Sequence, residues 1–172
     1  VDTLTGGDGS DTYQVSSMED AIIENAKDGD QDVVESKVDY ELGDNIEVLV
    51  LLDAALKGYG NGLDNVLVGT ANANALNGGD GNDSLQGEAG DDSLDGGSGD
   101  DTLDGGEGQD GVMYSGEFSD YKITYDQDSQ SWRVEDVNLA DGQDDGTDML
   151  TGIEVLALAD QDYALVVGVV ST

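Results

Sequence analysis

Aspartates set at a fixed interval are the residues of this sequence best placed to do chemistry. Asp83, Asp92, Asp101 and Asp110 stand nine residues apart, and Asn65 and Asn74 hold the same place in the two preceding nonads. A carboxylate is a hard anionic donor, and hard oxygen donors repeated at close intervals suit a hard divalent cation, Ca2+ above all. The chain has 40 acidic residues, 5 basic ones, no Cys and no His. These absences remove disulfides, thiolate sites, the usual zinc ligand and any Ser-His-Asp or Cys-His device. A glycosidase-type carboxylate pair is open on counting alone. The acids fall at repeat positions, however, and no other catalytic device accompanies them, so no enzyme is expected.

The formal net charge of −35 decides several partners at once. Nucleic acid is excluded because phosphate binding needs Lys/Arg stripes, and an anionic membrane repels the chain for the same reason. No apolar run reaches membrane-spanning length, so no insertion is expected, and no N-terminal signal-peptide pattern is visible. So acidic a chain resists collapse unless its charge is neutralised. A halophilic surface would account for the charge but not for the interval at which the acids recur.

That interval belongs to a repeat. From Gly60 the chain reads GNGLDNVLV, GTANANALN, GGDGNDSLQ, GEAGDDSLD, GGSGDDTLD and GGEGQDGVM, without a gap, to Met113. Position 1 is Gly60, Gly69, Gly78, Gly87, Gly96 and Gly105; position 8 is Leu67, Leu76, Leu85, Leu94, Leu103 and Val112. A further copy, GGDGSDTYQ, starts at Gly6 and puts Asp11 at position 6. Val1–Thr5 fits the last five positions of yet another, so the chain is expected to be a piece of something larger. With no Pro, turns fall to the 26 Gly together with Asn and Asp. Gly at positions 1, 2 and 4 permits positive φ and close packing. The three residues after position 6 read as a short strand, with position 8 inward and positions 7 and 9 outward. One large apolar residue in nine makes a thin core that metal between the turns would reinforce. A flexible Gly/Asp linker would not hold positions 6 and 8 in register through six blocks.

These blocks resemble the RTX (repeats-in-toxin), or hemolysin-type calcium-binding, repeats. The resemblance implies an all-β fold, a parallel β-roll whose consecutive repeats alternate between two sides, so that same-side repeats lie 18 residues apart. It further implies calcium held between same-side turns by position-6 carboxylates and turn carbonyls. Carried onto this chain, Asp83 pairs with Asp101 and Asp92 with Asp110, while Asn65 with Asp83 and Asn74 with Asp92 form weaker sites, an amide being the poorer ligand. The blocks at Gly60 and Gly69 also depart from the pattern at position 4, where Leu63 and Asn72 stand. Asp11 joins this set, and Gly78, Asp80, Gly87, Gly96 and Gly105 are the turn residues assigned to it. Same-side pairs imply about four to six ions.

The flanks position and close the repeat. In residues 1–59, Tyr13–Val15, Ala21–Glu24, Asp32–Val34 and Ile46–Val50 read as strands between Gly/Asp/Asn turns. Met18–Ala26 reads as strand, with a short helix as the alternative. The phrases DTYQV, AIIE, DVVES, DNIEVLVL and GNGLDNVLVG resemble segments joined to RTX arrays and imply a degenerate roll with longer excursions. Leu49 and Leu52 are expected in its core, and Asn45 and Glu47 at turns or edges. Residues 60–113 form the regular roll. In 114–172, Tyr121–Tyr125 and Trp132–Val134 read as a hairpin closing the open end. Val155, Leu156 and Leu158 are expected as core, and a strand from Tyr163 to Val170. The acids of Asp141–Asp148 read either as a solvated turn or as one more calcium site. Asp126–Asp128 only half-matches an EF-hand start.

The function expected is a calcium-binding module of a larger secreted bacterial protein, extracellular or at the cell surface. The resemblance implies a separate effector domain and the type I secretion machinery as partners. The other reading is an adhesin or carbohydrate-binding module, with calcium as scaffold and Tyr114, Tyr121, Tyr125 and Trp132 as a glycan platform.

Overall fold

The computed structural model describes residues 2–25, 31–138 and 145–165. Among them there is no α-helix; apart from a 3-10 turn at Phe118–Asp120, regular structure consists of short strands joined by tight turns. Turns come from the glycine-rich half of a repeat and strands from the other half, save that Ala75–Asp80 and Ser93–Ser98 run on into the first three positions of the next repeat. Gly79 and Gly81 sit at φ +106° and +115°, a region open to glycine at little cost. Close approach adds a second reason: a Cβ on Gly97 would collide with the carbonyl oxygen of Gly79 in the turn stacked beside it. The chain winds into a parallel β-solenoid of about six turns, the β-roll implied by the repeat.

Alternate strands go to opposite sides. One sheet stacks Thr12–Val15, Val33–Ser36, Val48–Leu51, Val66–Val68, Ser84–Gln86, Thr102–Asp104 and Thr147–Thr151 in parallel. The other stacks Tyr40–Glu41, Lys57–Tyr59, Ala75–Asp80, Ser93–Ser98, Gly111–Met113 and Val155–Ala157. Thr3–Thr5 and Ala21–Ile23 form a separate parallel pair. Two antiparallel additions close the C-terminal end. The hairpin Tyr121–Asp126/Ser131–Asp136 lies along Thr147–Thr151, and Asp162–Ala164 lies along Val155–Ala157. They cover strand edges that a solenoid would otherwise present for pairing.

Two rows of side chains, one from each sheet, run through the core. Tyr13, Val34, Leu49, Leu67, Leu85, Leu103 and Leu150 are cross-strand partners in one row, and all are buried. Leu76, Leu94, Val112 and Leu156 face them from the other. Gly58 occupies the next place in that second row, where a Cβ would lie 3.0 Å from Leu49 Cδ2 and 3.2 Å from Leu76 Cδ2, so those leucines fill the gap.

Flanking strands foreseen in the sequence are present, Tyr40–Glu41, Lys57–Tyr59 and Thr147–Thr151 are added to them, and two core assignments change, at Leu52 and at Val155. Leu52 is only half-buried and Leu51 is buried instead, because alternation along Val48–Leu51 sends Leu49 and Leu51 to the same face. Met18–Ala26 holds the strand Ala21–Ile23, Ala26 lying outside the described residues. Leu156 and Leu158 are buried, whereas Val155 is half-buried. Residues 141–144 of the acidic cluster and 166–170 of the last apolar run also lie outside the described residues.

Truncating Leu85 to Ala should cost about 2–5 kcal/mol, as for other core leucines. Gln86→Ala, on the outer face, should change stability by less than about 0.5 kcal/mol. Urea unfolding of both variants in calcium checks the difference, and equal effects would contradict the two-row core.

Candidate metal centre

Position 6 sits where a turn enters its strand, and its side chain points back along the stack. Asp83 Oδ1 accepts the backbone N–H of Asn65 at 2.7 Å, and Asp101 Oδ1 accepts that of Asp83 at 2.7 Å. On the other side Asp92 Oδ1 accepts the N–H of Asn74 at 2.6 Å, and Asp110 Oδ1 accepts that of Asp92 at 2.8 Å. The residues that the resemblance pairs, Asp83 with Asp101 and Asp92 with Asp110, thus stand in adjacent same-side turns. All four carboxylates are buried, none more than 4 % exposed. Position 5 works in the opposite direction: Asp64 Oδ1 accepts the N–H of Asn82, and Asn82 Oδ1 that of Asp100, at 2.8 and 2.9 Å. Each turn is thereby tied to both neighbours.

The ladder runs beyond the regular blocks. Asp101 donates its N–H to Asp148 Oδ1 across 47 residues, and Asp110 donates to Glu154 Oε2 across 44. Toward the N-terminus, Asp11 donates to Asp32 Oδ1 across 21 residues and Asp32 to Glu47 Oε2 across 15. One side of the roll thus carries Asp11, Asp32, Glu47, Asn65, Asp83, Asp101 and Asp148 in line. Glu47, expected at a turn or edge, stands in this line. Asp32, Glu47, Asp148 and Glu154 share a local signal with the repeats, an acid two residues before an inward apolar side chain: Asp32/Val34, Glu47/Leu49, Asp148/Leu150 and Glu154/Leu156.

The second oxygens of these carboxylates separate the members of the line. Oδ2 of Asp11, Asp83, Asp92, Asp101 and Asp110 is buried and has no hydrogen-bond partner. Beside Asp83 Oδ2 lie the Cα of Gly78, where a Cβ would collide with that oxygen, and the carbonyl oxygen of Gly96, 2.5 Å from the same Cβ position. Gly87 stands in the same relation to Asp92 and to the carbonyl oxygen of Gly105, at 2.6 Å. A buried acceptor-only oxygen with a carbonyl oxygen close by is costly alone and fits a cation that takes oxygen ligands. A third setting gathers Asp11, Glu24 and Asp32, whose carboxylate oxygens lie within 4.8 Å of one another; the Tyr13 hydroxyl donates to Glu24 there.

The family model of the RTX calcium-binding nonapeptide repeat matches this chain in four copies, over residues 1–14, 59–87 and 77–112. Residues 1–14 and 59–112 carry RTX calcium-binding nonapeptide repeats. The RTX matches take in Asp11, Asn65, Asn74, Asp83, Asp92, Asp101 and Asp110, whereas Asp32, Glu47, Asp148 and Glu154 lie outside them. No curated protein matches the chain.

Electrostatics within the RTX turns follow from burial without counter-charge. Desolvation pushes the Asp83 carboxyl up to about 7, against the pull of its hydrogen bond from Asn65 and with help from the Asp101 charge. Desolvation likewise raises Asp92 and Asp101 to about 6 and also raises Asp110. Asp148, buried against Tyr114, whose hydroxyl donates to it at 2.7 Å, is pushed up to about 8. The remaining assigned residues are simpler. Gly78, Gly87, Gly96 and Gly105 line the turns, and Asp80 is exposed, its N–H donating to the Asn61 carbonyl at 3.2 Å. Asn65 and Asn74 are buried in the same places as the aspartates.

Between the usual Asp value of 3.8 and these raised values, the folded metal-free chain binds more protons than the unfolded one, so its stability falls as pH rises. Metal-free protein should therefore gain β-structure by circular dichroism as pH is lowered from about 8 to about 5. Calcium affinity should fall over the same range as protons compete for the carboxylates. A pH-independent spectrum would contradict this reading of the buried acids.

Proposed function

We propose that this chain is the calcium-folded module of a larger secreted bacterial protein. Asp11, Asp83, Asp92, Asp101 and Asp110 supply the ion-holding carboxylates, with the carbonyls of Gly96 and Gly105 beside Asp83 and Asp92 and with Gly78, Asp80 and Gly87 in the same turns. Bound calcium supplies the positive charge that the buried oxygens lack. The observation that carries the proposal is that set of five buried, unpartnered carboxylate oxygens, four of them in consecutive repeats.

The proposed mechanism is a folding switch. One buried Leu per repeat contributes about 1.5–3 kcal/mol, less than the backbone entropy of the nine residues it must hold. Without calcium, burying the carboxylates adds desolvation and repulsion to that deficit. The aspartate repeats stay open at cytosolic calcium, a state suited to passage through a type I secretion channel. Outside, calcium at about millimolar concentration meets sites of the extracellular class, on the order of 10⁻⁴–10⁻³ M. Binding then drives folding because only the stacked turns present paired oxygens. The folded roll stabilises or displays an attached effector outside the cell. Of the aromatics that a glycan platform would use, Tyr121 is buried and Tyr114 and Trp132 pack against the core, while Tyr125 is half-buried with its ring 4.8 Å from that of Trp132.

Titration of chelated protein with calcium, followed by far-UV circular dichroism, tests the switch. A steep gain of β-structure with calcium and not with magnesium is expected. Full β-structure and a sharp thermal transition in chelator would sink the proposal.

A further inference from the structure

The two asparagine blocks differ from the aspartate blocks in the hydrogen bonds that close them. Asn65 Oδ1 accepts the N–H of Asn61 at 2.7 Å, and its Nδ2 donates to the carbonyl of Ile46 at 3.1 Å in the preceding same-side coil. Asn74 repeats this: Oδ1 accepts the N–H of Thr70 at 2.6 Å, and Nδ2 donates to the carbonyl of Ala55 at 3.2 Å. Both residues are nearly inaccessible, at 1 % and 3 %, and both ends of each amide are satisfied. An amide has what a carboxylate lacks here, a donor for the neighbouring carbonyl.

The cause lies at position 2. In the aspartate blocks this residue has positive φ: Gly79 at +106°, Glu88 at +76°, Gly97 at +97° and Gly106 at +96°. Asn61 and Thr70 are not among the positive-φ residues, and their N–H groups turn onto the position-6 amide. Their own side chains close the turns further. Asn61 Oδ1 accepts the N–H of Leu63 at 2.9 Å, and Thr70 Oγ1 that of Asn72 at 3.1 Å. These local bonds replace the glycine turn.

The surrounding coils differ too. Between Leu42 and Ala55, five apolar side chains are buried: Leu42, Ile46, Leu49, Leu51 and Ala55. From Gly78 to Met113 only Leu85, Leu94, Leu103 and Val112 are. Residues 31–77 carry 8 acids and 2 lysines, whereas 78–113 carry 11 acids and no base. Among the described residues, all five buried carboxylate oxygens without a hydrogen-bond partner lie outside 31–77.

We propose that residues 31–77 form a calcium-independent middle of the roll, locked by the Asn65 and Asn74 amides, from which the calcium-requiring coils grow. The inference rests on the calcium reading of the aspartate turns, and it takes Asn65 and Asn74 out of the ligand set. The middle presents a finished coil edge on which the carboxylate turns assemble once the ion arrives.

Hydrogen–deuterium exchange of the full chain, in chelator and in calcium, tests this. Val33–Ser36, Val48–Leu51 and Val66–Val68 should exchange at least about tenfold slower than an unfolded chain in both conditions. Ser84–Gln86, Ser93–Ser98 and Thr102–Asp104 should be protected only in calcium. Equally fast exchange of both segments in chelator, with protection of both in calcium, overturns the division and leaves the calcium reading standing. Protection of both segments in chelator overturns the calcium reading itself. The variant N65D/N74D should lose the metal-free protection of Val48–Leu51 and Val66–Val68 and recover it with calcium. Unchanged protection in chelator would overturn the role of the two amides.

Discussion

Everything in this fold turns on carboxylates buried beside their own kind. The position-6 side chain must point back along the stack, because there its first oxygen receives the N–H of the preceding same-side turn, as between Asp83 and Asn65 or Asp101 and Asp83. That bond sets the register of the coils. It also brings the second oxygen into a place closed to water and to protein donors, beside a carbonyl of the next turn. Burying an ion without a partner is among the costliest things a protein can do. The stacking that makes the roll therefore creates the need for a cation, and the glycines at position 1 keep clear the space beside each oxygen.

The same constraint explains how the roll survives interruption. Chain excursions of different lengths, 21 and 15 residues toward the N-terminus and 47 toward the C-terminus, return to the same column. What is kept is an acid that meets the preceding N–H and, two residues later, an apolar side chain that meets the core row. The C-terminal excursion, with the hairpin Tyr121–Asp126/Ser131–Asp136, comes back in register at Thr147–Thr151 and covers a sheet edge on the way. Loop length matters little to such an architecture, because the closure entropy of a longer loop grows slowly.

Much of this was legible in the residues. The period of nine located the turns, strands, inward Leu row and position-6 acids from Gly60 to Met113, since each has a direct physical meaning at its position. The period is blind, however, to coils joined by longer excursions. Asp32, Glu47, Asp148 and Glu154 fell outside it although each keeps its local relation to Val34, Leu49, Leu150 and Leu156. Leu51 rather than Leu52 shares the core face of Leu49, because the strand keeps its alternation through Leu51, and an apolar run alone does not show how far that alternation extends. The amide at Asn65 reads in sequence as a weak ligand. That its oxygen takes the N–H of Asn61 depends on the φ of Asn61, which residue type alone does not determine.

The most direct test of the account is the number of calcium ions held at saturation, counted by equilibrium dialysis or native mass spectrometry for the unaltered chain and for D83N/D101N. About five ions are expected for the unaltered chain, one for each buried carboxylate oxygen without a partner among the described residues, and about two fewer for the double variant. A chain that holds no calcium above background, or a count that D83N/D101N leaves unchanged, would contradict the claim that these buried oxygens are what the ion is for.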